Sequence, residues 1–154
     1  MTAATPEERL AELGLAVPEV ATPVASYIPA VRSGNHVYTS GQLPMREGKL
    51  VTTGKVGGEV SPEEAFECAR LCALNAIAAV RAEVGELSAV KRVVKVVAFV
   101  ASTPDFTGQP TVANGASELF GQVFGDAGRH VRSAVGVPVL PLDAPVEVEL
   151  VVEI

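Results

Sequence analysis

The residues best suited to chemistry lie near the C-terminal end. Arg132 opens a β-branched run, and Glu147 follows it by 15 positions. A guanidinium presents a planar fork of donors that clamps a carboxylate through two parallel hydrogen bonds. A nearby carboxylate can orient or activate a water for hydrolysis. Glu147, Glu149 and Glu153 share one face of a segment whose other face is Val146, Val148, Leu150, Val152 and Ile154. Two readings of that acidic face are open. It is a solvated surface, which composition alone favours, or it lines a polar subunit interface or pocket where Arg132 supplies the counter-charge. Buried and unpartnered, Glu147 and Glu149 would be costly.

Other chemical patterns are absent. The sequence has no Gly-rich phosphate motif ahead of a Lys, no His-x-x-x-His pair and no Gly-x-Ser-x-Gly elbow. Of its two histidines, His36 falls inside a strand signal and reads as a sheet residue. His130 lies two before Arg132 and could approach a site there, a lesser expectation than a structural role. Cys68 and Cys72, four apart in a helical pattern, would point outward in parallel, so they do not bridge. With no His beside them they make a poor zinc pair. They read as buried, inert thiols of a reducing compartment. Neither a metal nor a cofactor is expected.

These residues need a framework. Thr5, Pro6, Glu8 and Gly14 mark a short helix over 5–14 through a capping box and a stop. Leu10 and Leu13 give it an apolar stripe that docks it on the domain. Val17–Pro29 holds three prolines and should be irregular. Ala30–Ser33 and His36–Ser40 flank the turn signal Gly34-Asn35, and Lys49–Thr52 reads as a further short strand. Ser61-Pro62-Glu63-Glu64 starts a helix that runs to Val84 and stops at Gly85. Its stripe of Ala65, Ala69, Cys72, Ala76 and Ala79 faces the core. Val93–Ala101 is a strand apolar on both sides, which suggests that both faces are covered. Residues 111–124 form a second amphipathic helix ending at Gly125, followed by strands at Arg132–Val137 and Val146–Ile154. This order predicts an α+β sandwich, two helices packed on one face of a mixed sheet.

The 154 residues suit one domain, with 48% hydrophobic and 19% charged residues and no Trp. So much apolar content with so few large side chains points to burial between subunits. The net charge of −6 argues against nucleic acid as a partner, because phosphate binding needs a basic face. Lys91, Arg92 and Lys95 form the single basic cluster and read as a solvated junction. Pro6-Glu7-Glu8-Arg9 contains no apolar signal core, and no apolar run is long enough to span a bilayer. A soluble cytoplasmic protein without membrane contact is expected.

Two separated motifs then carry a resemblance. Tyr27 followed by Val37-Tyr38-Thr39-Ser40-Gly41-Gln42-Leu43-Pro44 resembles the N-terminal signature of the RidA/YjgF family, formerly called endoribonuclease L-PSP. Arg132-Ser133-Ala134-Val135, Leu140-Pro141 and Val146-Glu147-Val148-Glu149 resemble its C-terminal signature. The resemblance covers 27–154 and leaves 1–26 as an N-terminal extension with a short helix. It implies a chorismate-mutase-like two-layer fold and a homotrimer with sheets inward, helices outward and sites in the clefts between subunits. It also implies hydrolytic deamination of reactive 2-enamine or 2-imine acids to 2-oxo acids and ammonia. On that pattern Arg132 binds the substrate carboxylate and Glu147 positions water. Tyr27, Ser40, Gly41 and Asn114 complete the pocket, and Glu149 pairs across the interface. The sequence departs from the pattern at Ala134, where the family often has Cys, at His130, where it has Pro, and at Ile28-Pro29, where it has Ser-Gln. Two further readings stand beside this one: a non-catalytic module that senses a small carboxylate metabolite, and, least favoured by the acidic charge, a ribonuclease.

Overall fold

The computed structural model describes residues 3–23 and 25–154. Val24, inside the segment expected to be irregular, lies outside the described residues.

Helix α1 (Pro6–Glu12) is fixed by the capping box: Glu8 N donates to Thr5 Oγ1 at 3.1 Å and Thr5 N donates to Glu8 Oε2 at 2.8 Å. Leu10 is buried in the main core, and Glu7 Oε1 accepts from Leu87 N at 2.8 Å. The helix therefore docks on the domain, as its stripe predicts. Strands β1 (Ala30–Ser33) and β2 (His36–Thr39) form a hairpin whose turn carries Gly34 at φ +59°. Strands β3 (Met45–Arg46) and β4 (Lys49–Leu50) make a second, minimal hairpin where one strand over Lys49–Thr52 is expected. Its turn residues Glu47 and Gly48 both take positive φ, the conformation tight hairpins require. A Glu in the first turn position conceals that signal.

Helix α2 (Pro62–Val84) begins on the Ser61 cap, which accepts from Glu64 N at 3.1 Å, and ends on Gly85 at φ +84°. Strand β5 (Arg92–Ala101) leads into α3 (Gln109–Phe124), which starts two residues earlier than the periodicity indicates. Pro110 fits the first turn, where its missing N–H has no role. Strands β6 (Val131–Val137) and β7 (Val146–Glu153) complete the chain. The five-stranded sheet has the order β1-β2-β7-β5-β6. Its pairs are antiparallel except β5 with β6, which run parallel because α3 carries the chain back between them. The result is the mixed α+β architecture the element order predicts.

Helices α2 and α3 cover one face of the sheet. Val37, Val96, Ala98, Val100, Val148, Leu150 and Val152 bury there against Ala69, Ala76, Ile77 and Phe120. The two helices approach closely enough that a Cβ on Gly115 would run into the Phe66 carbonyl. Cys68 and Cys72 are buried and unbridged. Burial, with Glu64 and Glu67 adding to it, pushes the Cys68 thiol up to about 11. Burial raises Cys72 well above the ordinary range as well. Both are therefore inert at neutral pH.

The opposite sheet face corrects one expectation. Strand β5 is covered along its whole length on one side only: on the other, Lys95 is exposed and Val97 half-buried, and a small cluster of Leu43, Leu50, Leu140 and Ala144 packs only at the Phe99–Ala101 end. On the same face Val131 is 64% exposed, Val31 48%, Tyr38 45% and Val135 44%. The two-sided apolar pattern of β5 is thus only partly covered by the same chain.

Candidate functional site

Arg132 is the second residue of β6, an edge strand, and is paired with Val96. Val96 is fully buried beneath the helices, so Arg132 projects on that side and reaches α3 at the sheet margin. Its Nη1 donates to Asn114 Oδ1 at 2.8 Å and to Ser117 Oγ at 3.1 Å. Those acceptors are three apart on α3 and so share one helix face. Nη2 donates to the Pro110 carbonyl at 3.3 Å. A guanidinium has five N–H donors. Three are taken, which leaves Nε–H and one Nη2–H without an acceptor among the described residues. Ser117 in turn lies 2.9 Å from His130 Nε2, and His130 Nδ1 is 2.6 Å from the Gly128 carbonyl.

Glu147 belongs to another neighbourhood. It pairs with Phe99 on the open face of the sheet and is half-buried. Gly41 packs directly on its carboxylate, and a Cβ at Gly41 would overlap the Glu147 side chain. A glycine is needed there for close approach. Burial first, and the charge of Glu149 second, hold the Glu147 carboxyl above the usual carboxylate range. No cation among the described residues forms an ion pair with it. The turn after β2 sets this geometry. Ser40 N donates to the Pro29 carbonyl at 2.7 Å and Ser40 Oγ to the Ile28 carbonyl at 2.5 Å. Gln42 N donates to the Val148 carbonyl at 2.8 Å. Gly41 N–H and Leu43 N–H are the amides of this turn with no acceptor among the described residues. Tyr27, Pro29, Gly41 and Leu43 line one cleft together with Thr22 and Pro23 of the N-terminal segment. Glu149 lines a separate depression of about 340 Å³ with Tyr38, Lys95 and Val97 on the open face.

The residues singled out in the sequence thus fall into two groups. Tyr27, Ser40, Gly41 and Glu147 gather at one place, and Arg132 with Asn114 at another. Within one chain Arg132 does not supply the counter-charge of Glu147: the two point to opposite faces, with β5 between their strands. Ser40 gives both its hydroxyl and its amide to the Ile28–Pro29 backbone. Ser117 was not anticipated. Its three-residue spacing from Asn114 on a helix is the signal that could have found it. His36 sits on β2 beside Tyr38, with ring centroids 6.4 Å apart, as a sheet residue should.

Comparison with known proteins adds three kinds of match. The family model described as "YjgF/chorismate mutase-like, putative endoribonuclease" matches residues 7–154. Protein TCP17 of Trypanosoma cruzi is 45% identical over 94% of this chain and 91% of its own. A 2-iminobutanoate/2-iminopropanoate deaminase of Dermatophagoides farinae is 34% identical over 91% of this chain and 94% of its own. Among solved structures, a "putative endoribonuclease" from Shewanella oneidensis superposes with a TM-score of 0.95 at 37% identity, covering 98% of this chain and 100% of that one.

Proposed function

The chain belongs to the YjgF/chorismate mutase-like family, and on that premise we propose that it hydrolyses reactive 2-enamine and 2-imine acids to 2-oxo acids and ammonia, in clefts between the subunits of a homotrimer. The observation that carries this reading is the division of the site into two halves on opposite faces of one sheet. Neither half is sufficient alone: one holds a carboxylate clamp, the other a carboxylate base. A neighbouring copy that brings its Arg132 edge to the Glu147 cleft makes them one site. The deaminase name of the mite relative supports the reaction class.

The chemistry follows from the groups. The two outward donors of Arg132, Nε–H and Nη2–H, clamp the substrate carboxylate. The enamine tautomerises to the imine, and a water attacks the imine carbon as Glu147 takes one of its protons and passes it to the nitrogen, giving a carbinolamine. The carbinolamine hydroxyl then gives up the second proton, which Glu147 carries to the nitrogen as the C–N bond breaks. The products are the 2-oxo acid and ammonia, so one water is consumed per C=N bond broken. A carboxylate held above its usual range is a stronger base, better suited to taking and returning those protons. Gly41 N–H is placed to donate to a polar substrate atom beside it.

A second reading, a non-catalytic sensor of small carboxylates, draws on the Arg132 clamp being complete without Glu147. A ribonuclease reading finds less support. His36 and His130 lie toward opposite ends of the sheet order, on β2 and just ahead of β6, and so form no acid–base pair within one chain. The test is release of 2-oxo acid and ammonia from enzymatically generated 2-aminoacrylate. We expect acceleration over the uncatalysed rate, lost by on the order of 100-fold in Arg132→Ala. An unchanged rate with correctly folded wild-type protein would overturn the enzyme reading.

A further inference from the structure

We infer that Ser117 and His130 form a positioning pair for Arg132, aiming its free edge at the ligand carboxylate; the inference rests on the carboxylate-anchor reading above. Four groups make a single chain of hydrogen bonds. The Gly128 carbonyl can only accept, so the 2.6 Å contact places a proton on His130 Nδ1. Arg132 Nη1 can only donate, so Ser117 Oγ accepts from it at 3.1 Å. The assignment that gives every polar hydrogen an acceptor then has the Ser117 hydroxyl donating to an unprotonated His130 Nε2 at 2.9 Å. Donation runs one way, from Arg132 through Ser117 and His130 to Gly128.

The far end of this chain is anchored in the core. The His130 ring stands edge-on to Phe120, centroids 6.0 Å apart and planes at 89°. Phe120 is fully buried, and Gly128 packs on the Phe120 carbonyl so tightly that a Cβ would not fit. Asn114, Ser117 and Phe120 follow at three-residue intervals on α3, so one helix face supplies both Nη1 acceptors and the wall behind His130. The function of this arrangement is orientation. With Nη1 held by two acceptors, the guanidinium plane cannot swing, and the pair left for a bidentate carboxylate is fixed on the Nε side. Removing the Ser117 hydroxyl frees that plane. Removing the His130 acceptor lets the hydroxyl rotate toward Arg132 and compete for the lone pair it offers.

Calorimetric titration of the full-length protein with 2-oxobutanoate tests this, with thermal melting to verify folding. Ser117→Ala and His130→Phe should each weaken binding by about tenfold, as expected for losing an aligned hydrogen bond to a charged group. Ser117→Thr, which keeps the hydroxyl, should bind within about twofold of wild type. The double variant Ser117→Ala/His130→Phe should be no weaker than Ser117→Ala alone, because both act through one hydroxyl. The Arg132 Nε–H resonance should broaden in Ser117→Ala and stay sharp in Ser117→Thr, a change that a merely structural role would not produce. Wild-type affinity in Ser117→Ala and His130→Phe, with binding lost in Arg132→Ala, would overturn the positioning pair alone. Wild-type affinity in Arg132→Ala would instead overturn the anchor and the pair with it.

Discussion

Arg132 keeps two donors without an acceptor among the described residues because Asn114, Ser117 and Pro110 occupy the other three. Glu147 faces Gly41 with its carboxyl raised, chiefly by burial. That raised value has a consequence for stability. Between the ordinary carboxyl value of 4.5 and the raised one, the folded state binds more protons than the unfolded state. Stability therefore falls as pH rises through that interval. Above 4.5 the raised value opposes folding, so Glu147→Gln should melt at a higher temperature than wild type at neutral pH, and the gain should vanish on the acid side of 4.5. Thermal melts across pH check this. The same variant should lose turnover while still binding 2-oxobutanoate; retained turnover would favour a role for Glu147 in structure alone. At this scale the sequence was informative where spacing and motif coincide, as at Arg132, Glu147 and Gly41. It was silent on Ser117, since a helix-interior serine has no distinctive pattern, and on the opposed directions of Arg132 and Glu147. Those directions depend on strand order, which no local pattern encodes.

At the scale of elements, the turn between β2 and β3 is where sequence and site meet. Ser40 ties it to Ile28–Pro29, Gln42 ties it to β7, and Gly41 between them receives the Glu147 carboxylate. Gly41→Ala should push that carboxylate out of place and cost about 1–3 kcal/mol of stability through overpacking. Turnover should fall by on the order of tenfold or more, since displacement of a reacting group by an ångström is enough. Kinetics and a denaturant melt of the one variant check both. The helices were legible because caps and stops are local chemistry: Thr5, Ser61, Gly85 and Gly125 each end or begin one. The β3–β4 hairpin was not, because Glu47 adopts positive φ where Asn or Gly would normally announce it.

At the scale of the whole molecule, the helices close one face of the sheet and leave the other open. Val31, Tyr38, Val131 and Val135 on that face are apolar and exposed, and a strand as apolar on both sides as β5 is made to be covered. The sparse aromatic content and high apolar share already pointed to burial between copies. On the proposed assembly, Val135→Glu should put a charge in that contact, giving a folded monomer by light scattering with native circular dichroism and no turnover. Among the described residues no helix is long and apolar enough to cross a membrane.

Whether Arg132 of one copy serves Glu147 of another can be read from subunit mixing. Arg132→Ala and Glu147→Gln should each be inactive when alone. Unfolded together in equal amounts and refolded, they should yield mixed rings in which about a quarter of the clefts have both residues intact. Turnover should return to about a quarter of the wild-type level. If mass spectrometry confirms mixed assemblies and no activity returns, the two residues do not meet across a subunit boundary and the composite site is contradicted.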